Sequence, residues 1–130
     1  MKTTLLIILI TALSAACGGG SGGSSNQAPT IAAIPDQSVN EKNTLTITAT
    51  ASDSDGTIAS YLWEQTSGTA VSLADVDSST VMITAPIVEK NETIGLKLTV
   101  TDDDGATAIS NVTATITDIE RYIIDDAAVS

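Results

Sequence analysis

Thr44-Leu45-Thr46-Ile47-Thr48-Ala49-Thr50-Ala51 sets an aliphatic side chain at every second position and a threonine at each position between. Successive side chains of an extended chain point to opposite faces, so Leu45, Ile47, Ala49 and Ala51 share one face and the hydroxyls the other. That is the pattern of a strand with one buried face. Ile94, Leu96, Leu98 and Val100 repeat it against Gly95, Lys97, Thr99 and Thr101. Further candidate strands cover residues 30–34, 58–65, 71–74, 79–84 and 106–117, which makes seven expected strands.

Turn-forming clusters separate the runs: Asp53-Ser54-Asp55-Gly56, Thr66-Ser67-Gly68 and Asp102-Asp103-Asp104-Gly105. Seven short strands at this spacing predict an all-β, immunoglobulin-like sandwich. The composition agrees: Phe is absent, Trp occurs once and Tyr twice, yet 42% of residues are hydrophobic, so the core must be built from aliphatic side chains. Trp63, the largest side chain, falls in the third run, where such a fold buries a central tryptophan. Leu45, Ile47, Leu96, Leu98 and Val100 are the expected core around it.

Chemistry is limited by what the chain lacks. With no His and a single Cys among 130 residues, it can form neither an internal disulfide framework nor a His-Cys zinc site, a Cys-His pair or a Ser-His-Asp triad. The formal charge of −11 repels phosphate backbones, which argues against nucleic acid as a partner. A carboxylate-only glycosidase pair needs a cleft that a lone sandwich of this size seldom provides. No enzyme is therefore expected.

The landmarks Asn26-Gln27-Ala28-Pro29, Asp36-Gln37-Ser38-Val39, Ser52 to Gln65 (SDSDGTIASYLWEQ), Thr84-Ala85-Pro86 and Leu98 to Gly105 (LTVTDDDG) follow one another in the order of a polycystic kidney disease (PKD) domain of the REJ-like branch, which the chain resembles. The resemblance implies an extracellular β-sandwich that acts as a spacer or in protein or polysaccharide contact. Antiparallel strand order brings the chain start, the turn after Ala51 and the turn after Val100 to one end of such a sandwich. Carboxylates gathered there repel, and a hard cation with oxygen ligands relieves the repulsion. The resemblance carries ligand roles for calcium, the one expected cofactor, onto Asn26, Asp53, Asp55 and Asp102. The alternative is that these residues only cap turns; an EF-hand is the poorer reading, because the Gly required at its sixth position is missing.

The N-terminus reads as an export signal. Lys2, the apolar run Leu5 to Leu13 and the small residues Ser14, Ala15 and Ala16 form its three regions, and the run is too short for a permanent membrane span. Leu13-Ser14-Ala15-Ala16-Cys17 resembles a bacterial lipobox, displaced in that Ser14 holds the place usually taken by Leu. The resemblance implies acylation of Cys17 and, since Gly18 replaces the Asp of inner-membrane retention, display on the outer membrane or cell surface. Gly18 to Ser25 is a flexible tether with a reach of roughly 16 Å.

The expected organisation is a signal peptide over 1–16, a lipidated Cys and linker over 17–29, a PKD-like domain over 30–118 and a tail over 119–130. The tail is either an extra edge strand or the stub of a further domain. The expected function is a non-catalytic surface lipoprotein module whose partners are the membrane, through its lipid anchor, and a protein or polysaccharide. Two alternatives stand beside it: a carbohydrate-binding or adhesive module, and the N-terminal part of a larger secreted enzyme or adhesin. A carbohydrate module would show an exposed aromatic platform made from Tyr61, Trp63 and Tyr122.

Overall fold

The computed structural model describes residues 23–119; Cys17, the signal region and the tail beyond Ile119 lie outside the described residues. Among the described residues nine strands form: β1 (Thr30–Ile31), β2 (Gln37–Asn40), β3 (Thr44–Thr48), β4 (Ala51–Ser52), β5 (Ile58–Ser67), β6 (Ser72–Ala74), β7 (Thr80–Thr84), β8 (Glu92–Asp102) and β9 (Thr107–Thr117). One sheet has the order β2-β9-β8-β5, the facing sheet β3-β7-β6, and β1 pairs with β4 as a short ribbon. Period-two alternation turns one side of each sheet inward, and the two inner sides make a single core.

Trp63, Ile94, Leu96, Leu98, Val100, Val112, Ala114 and Ile116 enter that core from the four-stranded sheet, Ile47, Val81 and Ile83 from the other. Leu45 is half-buried against them. Trp63 is 2% exposed, donates its indole Nε1–H to the Ser78 carbonyl at 3.0 Å and its backbone N–H to the Val76 carbonyl at 2.8 Å. The link between β6 and β7 is thereby pinned across the edge of β5.

Two expected strands are cut short. The run over 44–51 breaks at Ala49–Thr50, because the chain changes partner there: the Ala49 N–H makes the last bond in register with the β7 side, to the Ser79 carbonyl, and the Thr50 carbonyl already takes the Ala32 N–H of the β1 side, where the chain resumes as β4. The run over 30–34 pairs only at Thr30–Ile31, and the Ala32 N–H makes one more bond, to Thr50. Pro35, with no N–H to give, lets the chain cross to the opposite sheet. There it adds β2, which was not expected, parallel to β9 with Val39 opposite Ile116. Only Val39 of its four residues is apolar, so nothing in the side-chain pattern announced it.

Candidate functional site

The end of the sandwich where the chain enters is built by two aspartate-rich turns. Between β4 and β5 the Asp55 N–H bonds Asp53 Oδ1 at 3.3 Å, the local turn that Asp favours. Between β8 and β9 the Asp102 carboxylate accepts the N–H groups of Asp104 at 3.0 Å and Ala106 at 2.8 Å, and Gly105 takes φ 92°, where a Cβ is strained. The turns are joined to each other: Thr57 N–H donates to Asp103 Oδ1 at 2.7 Å, and Asp103 N–H to the Thr57 carbonyl at 3.0 Å.

Both turns hold the incoming chain. Asn26 Nδ2 donates to Asp102 Oδ2 at 3.0 Å, and Gln27 N–H reaches both oxygens of Asp55 at 3.1 and 3.2 Å. Asn26, Asp53, Asp55 and Asp102, spread over 77 positions of sequence, thus converge as strand order predicts. Among the described residues, however, no group of three or more acidic side chains already stands in metal-holding geometry.

The aspartates differ electrostatically. Loss of hydration raises the carboxyl of Asp102, which is 2% exposed, but hydrogen bonds from Asn26 and from the N–H groups of Ala106, Asp104 and Gly105 outweigh it and hold the group below the ordinary carboxylate range. For Asp53 desolvation is the main cause and the result is the reverse. The Asp55 N–H opposes it, while the charges of Asp55 and Asp102 add to it, and its carboxyl is pushed up. Asp53 Oδ2 is buried with no hydrogen-bond partner. It faces Gly56, where a Cβ would lie 2.7 Å from that oxygen and would also collide with Asp103 Oδ1.

The opposite end has a carboxylate that sequence reasoning missed. Glu41 is fully buried, accepting the Val88 N–H on Oε2 at 2.9 Å and the Ile119 N–H on Oε1 at 3.3 Å. Asn91 Oδ1 accepts the Asp118 N–H at 3.0 Å, so the outgoing chain is held as the incoming one is. Glu41 lies in the hydrophilic stretch Asn40-Glu41-Lys42-Asn43, which reads locally as a solvated turn. An open cleft of about 420 Å³ beside it is lined by Thr69, Ile87, Val88, Glu89, Lys90 and Glu92.

Of the aromatics expected to decide a carbohydrate platform, Trp63 is buried and Tyr61 is half-buried against the core; Tyr122 lies outside the described residues.

Comparisons with known proteins agree with this architecture. The solution structure of the PKD domain from KIAA 1837 protein is 33% identical, with a TM-score of 0.57 over 78% of this chain and 95% of that one. A nucleoside hydrolase-related hypothetical protein from Saccharophagus degradans, associated with carbohydrate metabolism, has a TM-score of 0.64 at 18% identity over 72% of this chain. The matched part is 26% of that protein's length. The PKD1 domain of Vibrio anguillarum Epp superposes with a TM-score of 0.50 at 20% identity, covering 72% of this chain and 99% of that domain. No curated protein matches the chain in sequence. The profile described as "K319L-like, PKD domain" covers residues 33–116. With more than half the chain inside that match and a sandwich of the same kind around it, the protein belongs to the PKD domain family.

Proposed function

We propose that the chain is a non-catalytic spacer or interaction module on the outside of a bacterial cell, tethered by a lipid on Cys17 and stabilised by calcium where the chain enters the sandwich. One observation carries the spacer reading: hydrogen bonds grip the chain at opposite poles, through Asp55 and Asp102 on entry and through Glu41 and Asn91 on exit. The body between the poles is about 35 Å long, from the 11 residues of β8. Tension between the poles pulls β2 and its parallel neighbour β9 in opposite directions along their length, which loads their hydrogen bonds together rather than one at a time.

Lipidation supplies the other half of the reading. Several acyl chains, each contributing about 0.8 kcal/mol per buried CH₂, anchor a protein stably, and the Gly/Ser stretch then lets the sandwich stand clear of the surface. Cys17→Ser should move the protein from the membrane fraction of its host to the soluble fraction. Retention of this variant in detergent-extractable membranes would rule the anchor out.

The case for calcium rests on the unpartnered, buried Asp53 Oδ2, on the mutual repulsion of Asp53, Asp55 and Asp102, and on the gap kept open by Gly56. Asn26, Asp53, Asp55 and Asp102 would hold the ion, which would supply positive charge to a cluster otherwise short of it and tie the tether to the turns. A site of the extracellular class binds at about 10⁻⁴ M. About 1 mM calcium would then stabilise the fold by about 1.4 kcal/mol, a rise of roughly 5–10 °C in melting temperature. Asp53→Asn and Asp102→Asn should each abolish the rise. A melting temperature equal in calcium and in chelator for the unsubstituted chain rejects the ion and leaves the spacer reading intact.

The carbohydrate alternative gains no support from the described aromatics, since Tyr61 and Trp63 are committed to the core.

A further inference from the structure

The outward side of the four-stranded sheet differs from the rest of this acidic molecule. Register places Leu62 opposite Thr99, and Thr99 opposite Ile109, so the three form one row across β5, β8 and β9. Leu62 is 46% exposed and Ile109 61%. The adjoining row is Glu64, Lys97 and Asn111, where Lys97 Nζ meets Glu64 Oε2 at 2.6 Å. Those two are the only charged residues among the outward positions of the described strands in this sheet, and they cancel. The other carboxylates of the described residues sit in the turns and at strand ends.

We infer that this side is a self-association surface, occupied by a second copy of the chain. Two such acidic molecules repel through their ends, and an uncharged flat side is where they can approach. Three strands of 10 and 11 residues, spaced as in any sheet, give a surface of roughly 35 by 14 Å, and the four residues of β2 add a strip about 13 Å long at one edge. That is on the order of 550 Å², about two thirds of the ~800 Å² each partner contributes to a standard interface, the size of a weak one. The facing sheet has shorter strands and one exposed large apolar side chain, Met82, so it is the poorer candidate.

Symmetry sets the contact. A twofold axis lying between the copies along β8 at Thr99 brings Leu62 of each copy onto Ile109 of the other, with each Lys97 arriving already neutralised by its own Glu64. Both copies then point the same way, their entry poles side by side. The surface is small and only modestly apolar, which corresponds to a dimer of micromolar or weaker affinity. This inference goes beyond the spacer reading and does not require it.

Residues 18–130 contain the whole described core and no cysteine, so they serve for the test. Sedimentation velocity between about 1 µM and 1 mM should show a monomer–dimer equilibrium. Leu62→Glu and Ile109→Glu should each weaken it at least about tenfold without changing the far-ultraviolet dichroism or the melting temperature. Thr99→Cys should give a covalent dimer with a bis-maleimide of about 10 Å reach, the separation of two packed sheets, while Thr46→Cys on the facing sheet should not. A monomer throughout the range, a dimer indifferent to Leu62→Glu, or equal cross-linking through residue 46 each overturns the assignment. So does a monomer that uses the same side to bind insoluble polysaccharide.

Discussion

Trp63→Ala should destabilise the domain by about 3–5 kcal/mol, moving the urea midpoint down by several molar if the slope is about 1 kcal/mol per M. The indole is the largest fully buried side chain, and no neighbouring element can fill the void without breaking the strand ladder on which it stands. It also leaves the Ser78 carbonyl without its donor and loosens the segment between β6 and β7, which keeps the backbone N–H groups of Trp63 on Val76 and of Ala49 on Ser79. A domain of this size has about 5–15 kcal/mol in total, so the variant should be marginal at 37 °C. Trp63→Phe keeps most of the volume but not the Nε1–H, and should fall between the two. Equilibrium urea unfolding followed by far-ultraviolet dichroism makes the measurement; a loss under about 1 kcal/mol for the alanine variant would mean that the two sheets are not packed around this ring.

A second large effect is expected at Glu41, where the isosteric change is the informative one. In Glu41→Gln one carboxylate oxygen becomes an NH₂ group, which then faces either the Val88 or the Ile119 N–H, donor against donor. Hydrogen bonds to a charged group are worth about 1.5–3 kcal/mol, and a buried N–H without an acceptor carries its full desolvation cost, so a loss of about 2–3 kcal/mol should follow from a change of one atom. Glu41→Ala strips both acceptors and opens a cavity, for about 3–5 kcal/mol. Amide exchange should distinguish this from a general loosening: Val88 and Ile119 should lose protection beyond what the global change accounts for. A glutamine variant as stable as the parent would show that water or another group takes over the displaced donor.

These two sites differ in how far the chain itself announces them. Trp63 was legible because it falls in the third run, where an immunoglobulin-like sandwich buries its central tryptophan, and an aromatic of that size is buried somewhere in a small domain. Glu41 was not, because its flanks Asn40, Lys42 and Asn43 are polar and its burial comes from Val88 and Ile119, which are distant in sequence. The aspartate pole is intermediate. Strand order alone brings Asn26, Asp53, Asp55 and Asp102 to one end, but nothing in the turns reveals that Asp102 is satisfied by Asn26 and by the N–H groups of its own turn while Asp53 keeps an unpartnered oxygen.

Residues 44–51 illustrate the same division within a single run. Their alternation decided which side chains face inward, and Ile47 and Ala49 are buried as the period requires. It could not show that the strand changes partner after Ala49, since that change depends on where the distant chain at Thr30–Ala32 lies: the Ala49 N–H still bonds Ser79 on the β7 side, while the Thr50 carbonyl takes the Ala32 N–H.

Sequence by itself therefore determined the inward and outward faces of the long strands, the positions of the turns and the absence of His–Cys chemistry, because each is a property of contiguous residues or of composition. Tertiary structure alone decided that β2 lies parallel to β9, that the first strand changes sheets at Pro35, and that one glutamate is sealed inside at the exit pole. Backbone hydrogen bonds carry no side-chain signature, and the burial of a charge depends on which distant N–H groups the completed fold brings to it.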